Sequence, residues 1–218
     1  MPTATTTDTT LKSLLIDELR DIYHAERQLV RALPKLAKAA TSPDLREALE
    51  SHLAETEEQV SRVEQAFELL NESAKTKTCA GMMGIVEEGS ELIKESDKGA
   101  ALDAGIIAGA QRAEHYEMAA YGSLMAWARA LGHDDVAELL SASLEEEKAA
   151  DKKLTELAEA GLNDAAASAS ESDDDDDEAE KAGEEEDKPR SRRQPAMAGA
   201  GNGNGRGKAA SRTRGGRR

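Results

Sequence analysis

Four stretches of this chain carry apolar residues at alternating spacings of three and four, and each stripe is interrupted near its middle by acidic or other polar side chains. That pattern constrains the fold more than any other feature. The spacing keeps one face of a helix apolar, and such a face has to be covered by other helices. The interruptions put carboxylates in the covered region, where they are costly unless paired, protonated or bound to a cation. The first seam reads Leu15, Leu19, Ile22, Glu26, Leu29, Leu33, Leu36, and only Glu26 in it is polar. The second reads Leu45, Leu49, His52, Thr56, Gln59, Val63, Ala66, Leu70, with Glu55 at the edge of its polar centre. The third, Leu102, Ile106, Ala110, Ala113, Glu117, Ala120, Leu124, Leu131, has Glu114 one turn before Glu117 on the same side. The fourth is Val136, Leu140, Ser143, Glu147, Asp151, Leu154, Ala158.

The punctuation around these seams predicts the helix ends. Helix one runs over about 11–40 after caps at Asp8 to Thr10, with a kink or break expected at Pro34. Ser42 as N-cap, Pro43 in the first position and Asp44 in the first turn start a second helix that reaches about Leu70. Residues 71–100 form a long connection with a short helix near 79–94, which lets the chain cross a bundle instead of turning back sharply. The third helix spans about 102–131 and closes at Gly132; Asp134 caps the fourth, which stops at Gly161. The expected fold class is all-α: a flexible lead over 1–10, an up-down four-helix bundle over 11–160 with a short crossover helix, and a disordered tail over 161–218.

The charge divides with the domains. Residues 1–170 carry −15, residues 171–187 carry −11 and residues 188–218 carry +10, which together give the net −16. An acidic body disfavours naked nucleic acid, but the basic end does not. Arg190, Arg192, Arg193, Arg206, Arg212, Arg214, Arg217 and Arg218 are the candidate nucleic-acid contacts there. No aromatic residue is interleaved with them, so such contact would be to phosphates and blind to sequence. The single cysteine, Cys79, excludes an internal disulfide and fits a reducing compartment. With no secretion signal and no apolar run long enough to span a membrane, the expected location is the cytoplasm.

Four helices of similar length, packed side by side, bring their acidic centres to similar heights. Glu26, His52, Glu55, Glu114, Glu117, Glu147 and Asp151 are therefore the candidate metal ligands, with Glu146 a competing register for Glu147. Oxygen-rich sets of this kind suit iron or manganese, and a dinuclear site needs bridging carboxylates from several helices. A weak internal repeat supports the grouping: Tyr23-His24-Ala25-Glu26 and Glu114-His115-Tyr116-Glu117 carry His and Glu in matching places.

Four segments of the chain, in order, resemble the YciE/YciF-like ferritin-like proteins. They are Leu19-Arg20-Asp21-Ile22-Tyr23-His24-Ala25-Glu26-Arg27-Gln28-Leu29, His52-Leu53-Ala54-Glu55-Thr56, Glu114-His115-Tyr116-Glu117 and Glu145-Glu146-Glu147-Lys148. The resemblance covers about residues 9–160. It implies a ferritin-like four-helix bundle, a homodimer, a link to bacterial stress responses and a di-iron centre. The chain departs from ferritins in one respect: it has no Glu-x-x-His spacing, and its second helix shows the reverse order, His52-x-x-Glu55.

The resulting expectation is a metal-binding stress protein that handles iron or reactive oxygen at the carboxylate cluster. Two alternatives stand beside it. One is a non-enzymatic helical dimer, a structural or interaction module, whose core acids are paired or protonated. The other is a Dps-like protein whose basic tail associates with DNA while its body captures iron.

Overall fold

A computed structural model describes residues 9–169. Among them every regular element is a helix, with no strand. The elements are α1 (Leu11–Ala39), α2 (Pro43–Leu69), α3 (Ala80–Glu95), α4 (Ala100–Ala130) and α5 (Asp134–Leu157), the last running into a π-helical turn (Ala158–Leu162). The all-α class and the short crossover helix expected from the sequence are both present. The acidic run at 173–177 and the arginine-rich end, with the eight arginines named above, lie outside the described residues.

The starts of the helices follow from local chemistry. Thr10 and Ser13 form a reciprocal capping box on α1, and Ser42 accepts from the Leu45 amide ahead of Pro43 in α2. α5 differs from expectation: Asp134 is its first helical residue, and His133 occupies the N-cap without a side-chain bond. α1 also runs unbroken through Pro34. Pro34 faces solvent, so the carbonyl it leaves unpaired can meet water, while the buried neighbours Leu33 and Ala37 hold the helix against its partners. At the other end Gly161 interrupts the backbone with φ 121°, but residues 163–169 are helical again where disordered chain was expected. That stretch includes Ala165-Ala166-Ala167, and alanine has the highest helix propensity of any residue.

The crossover sets the topology. α1 and α2 form an antiparallel pair, as do α4 and α5, each joined by a short turn. Residues 70–99 return the chain to the end where α2 began, and an unforeseen contact fixes that return. Asp103 in the first turn of α4, only 1% exposed, accepts from the Thr41 amide (2.8 Å), the Thr41 hydroxyl (2.5 Å) and the Ser42 amide (2.8 Å). α4 therefore starts beside the α1–α2 turn and lies parallel to α2. The other end of the crossover is tied to α1, where the Lys77 amide donates to the Arg20 carbonyl (3.0 Å).

The core is layered along the bundle axis. Leu33, Leu45, Leu102 and Ile106 fill one end, and Leu15, Phe67, Leu124 and Leu140 fill the other. Tyr23 meets Phe67 edge-on at 6.0 Å. Between these layers lie the residues that break the seams.

Removing the Asp103 carboxylate would leave two amides and a hydroxyl without an acceptor. Asp103→Ala is expected to cost about 2 kcal/mol, which lowers Tm by about 4–8 °C for a domain of this size. Asp103→Asn, which keeps one acceptor oxygen, should lose less; thermal unfolding followed by circular dichroism checks both.

Candidate metal centre

The middle layer brings together side chains from all four long helices. Glu26 from α1, His52 from α2, Glu114 and Glu117 from α4 and Glu147 from α5 are 0, 6, 2, 1 and 0% exposed. One ligand atom each of His52, Glu114, Glu117 and Glu147 lies within 4.8 Å of the others. The His52 Nε2 is 3.3 Å from Glu114 Oε1 and 3.8 Å from Glu147 Oε2. Glu26 closes the group on the α1 side, and its charge acts on Glu117.

Two sequence candidates fall elsewhere. Glu55 has a side chain that is 45% exposed, and it sits behind the imidazole, 3.5 Å from Nδ1. His52 draws the Glu55 carboxyl below its usual range. Asp151 is outside the group: it accepts from Gln111 (3.2 Å) and pairs with His115 Nε2 (3.3 Å) on the flank of the bundle. Asp151 lies one turn beyond Glu147 and near the same face, but four residues rotate the helix by about 40° more than a full turn, and from there Gln111 and His115 reach it.

The structure also decides the register on α5. Glu146 points to Arg62, which grips both of its oxygens at 2.5 and 2.7 Å, and it accepts from Gln59 at 3.0 Å. Glu145 is exposed and pairs with Lys148 at 2.8 Å. Glu147 alone of the three turns fully inward. Tyr121 is fully buried and donates its phenol to Glu26 Oε1. Its place one turn beyond Glu117 on the same face is the signal that marks it.

The electrostatics are unfavourable for the bare charges. Burial raises the carboxyls of Glu26, Glu114 and Glu117 well above their usual range, and mutual repulsion raises them further. Burial raises Glu147 too, while the adjacent Glu114 carboxyl and the neighbouring His52 pull it back. Tyr121 is pushed up by burial and by the Glu26 charge.

These residues fit a metal. Glu26 Oε2, Glu114 Oε2 and both oxygens of Glu117 and Glu147 are buried without a hydrogen-bond partner. Protein groups left in that state are rare, because each loses the full desolvation energy. Donor atoms around an octahedral cation at about 2.1 Å lie about 3–4 Å apart, so a slight contraction of the observed group would surround one. The carboxylates of Glu26, Glu114, Glu117 and Glu147, if all ionised, carry the charge that two divalent cations neutralise.

Residues 10–167 match a family described as a domain of unknown function (DUF892). Protein YciF of Escherichia coli (strain K12) is 44% identical over 158 residues, which span 72% of this chain and 95% of that protein. The crystal structure of the E. coli stress protein YciF superposes with a TM-score of 0.68, covering 71% of this chain and 98% of that one. YcfI from Rhodopseudomonas palustris gives 0.66 at 45% identity, over 69% and 96% of the two chains. A protein from Xanthomonas campestris pv. campestris gives 0.58 at 28% identity, over 69% and 93%.

Carboxyls with raised folded-state values hold protons more tightly in the native than in the unfolded protein. In metal-free protein their contribution to stability is complete below their ordinary value of 4.5 and is lost as pH rises through the raised values. Glu117→Gln removes one such carboxyl while keeping its shape. It should therefore gain on wild type as pH rises from about 4.5 to about 8. Denaturant unfolding of chelator-treated protein at several pH values checks the sign; a gap between the two proteins that stays constant with pH would refute it.

Proposed function

This chain belongs to the family described as a domain of unknown function (DUF892), and within it we propose a carboxylate-rich, dinuclear iron or manganese protein serving a stress response. The observation that carries the reading is the set of buried, unpartnered carboxylate oxygens from α1, α4 and α5 facing one imidazole from α2. Its likeness to the E. coli stress protein YciF supports the physiological part. A centre of this kind supplies one-electron exchange with iron, oxygen or peroxide.

The protein residues have distinct parts in this reading. Glu117 and Glu147, with both oxygens unpartnered, would hold the metal through two oxygens each, and Glu114 and Glu26 would each offer one. Glu55 lies 3.5 Å from His52 Nδ1, and in this reading it would orient the ring so that Nε2, 3.3 Å from Glu114, faces the metal. Tyr121 fixes Glu26 by its hydrogen bond and keeps one of its oxygens engaged. Arg62 pairs with Glu146 and offsets part of the charge that it adds beside Glu26. No helix among the described residues is long and apolar enough to cross a membrane.

Metal analysis of protein purified without chelators tests the proposal, with about two ions per chain expected. Glu26→Ala and Glu117→Ala should each remove most of the metal while circular dichroism stays helical. The double variant should lose little more, because residues that form one unit are not additive. Metal at background in the wild type would instead favour the non-enzymatic helical module. The homodimer implied by the resemblance belongs to the same reading, and sedimentation equilibrium checks it.

A further inference from the structure

A cleft of about 410 Å³ opens between α2 and α5 and ends on His52 and Glu114. Glu114 lines the floor of the cleft and is 2% exposed, and its Oε2 is buried without a partner. The mouth carries Asp44, Glu47 and Glu55 against the single cation Lys153. Leu49, Leu154 and Leu157 form apolar walls between mouth and floor.

Size and charge together define what such a passage admits. Water takes up about 30 Å³ per molecule, so a cation with six waters occupies about 180 Å³ and enters with its hydration shell intact. A cleft lined by an excess of one sign, with low-dielectric walls, concentrates counter-ions and speeds their arrival. Anions meet the opposite field. Leu49, Leu154 and Leu157 offer a hydrated ion no ligand, and His52 and Glu114 are the inner donors at the floor.

We propose that the α2–α5 cleft is the uptake route for hydrated divalent cations, with Asp44 and Glu47 steering them and Glu114 receiving them. This rests on the metal reading above and adds the path and the residues that govern the rate of loading. Asp44 and Glu47 are exposed and lie outside the inner ligand group, so their replacement separates arrival from final binding.

Stopped-flow uptake of cobalt(II), followed by its absorption in chelator-stripped full-length protein, tests the route. The double variant Asp44→Asn, Glu47→Gln should load about 5–10 times more slowly at low salt and reach the same final stoichiometry. The difference should vanish near 1 M salt, where the Debye length is about 3 Å. Lys153→Glu should load faster than wild type. A control with the same charge change on α3, Glu87→Gln with Glu91→Gln, should load as wild type does. Equal rates for wild type and the mouth variants at low salt, or a control slowed as much as the mouth variant, would overturn the route while leaving the metal site in place. A wild type that takes up no cobalt overturns the proposed function itself, and the route falls with it.

Discussion

The repulsion among buried carboxylates at mid-bundle is the constraint on which the rest of this structure depends. Glu26, Glu114, Glu117 and Glu147 sit where water cannot solvate them, and each raises the proton affinity of a neighbour. Such an arrangement persists only if the surrounding packing is strong enough to hold it. The leucine, isoleucine and phenylalanine layers on both sides supply that packing, and Asp103, the Thr10–Ser13 capping box and the Ser42 cap fix helix ends. The local fields are managed as well. Arg62 pairs with Glu146 and offsets part of its charge, and the Tyr121 phenol shields one oxygen of Glu26.

Much of this was legible in the sequence because the helix period is rigid. Seam spacing turns most residues inward, so Glu26, His52 and Glu117 could be placed before any coordinates. Spacing fails where two neighbouring positions are both near the inner face. Glu146 and Glu147 differ by one step, and only the reach of Arg62 from α2 decides between them. Asp151 satisfies the seam pattern yet is captured from outside by Gln111 and His115. Asp103 gave no signal, because its partners lie about sixty residues away in a turn whose location depends on the crossover. Pro34 shows tertiary packing overriding a local rule, since an exposed proline with buried neighbours leaves the helix intact.

The repeat between α1 and α4 is preserved only at its acids. Glu26 and Glu117 occupy comparable inner positions, but the residues around them have diverged because the crossover covers one side of the bundle. His24 is turned toward α3, where its Nδ1 accepts from the Cys79 amide, whereas its counterpart His115 is exposed and pairs with Asp151. Tyr116 bonds Asp21 at 2.6 Å and lies 3.0 Å from the Cys79 sulfur, and its ring abuts Gly81 where a Cβ would clash at 2.6 Å. Tyr23 faces Glu64 on the other side. A symmetric pair of helices has thus been adapted to a one-sided cover.

That one-sided cover also explains where a buried site can be reached. α3 closes the α1–α4 side, leaving behind it a small apolar space lined by Leu33, Ile85 and Ile106. Direct pairing in the antiparallel hairpins closes α1–α2 and α4–α5. The α2–α5 face has neither a crossover nor a hairpin turn, and its cleft is lined by Ala48, Ala149 and Ala150, side chains too short to fill the gap. Larger residues there would bury more apolar surface and stabilise the bundle, at about 25 cal/mol per Å². They would also seal off His52 and Glu114. The opening therefore lies on the face where the topology leaves least to disrupt, and the stability forgone in packing is small beside what a permanently enclosed, charged and empty centre would cost.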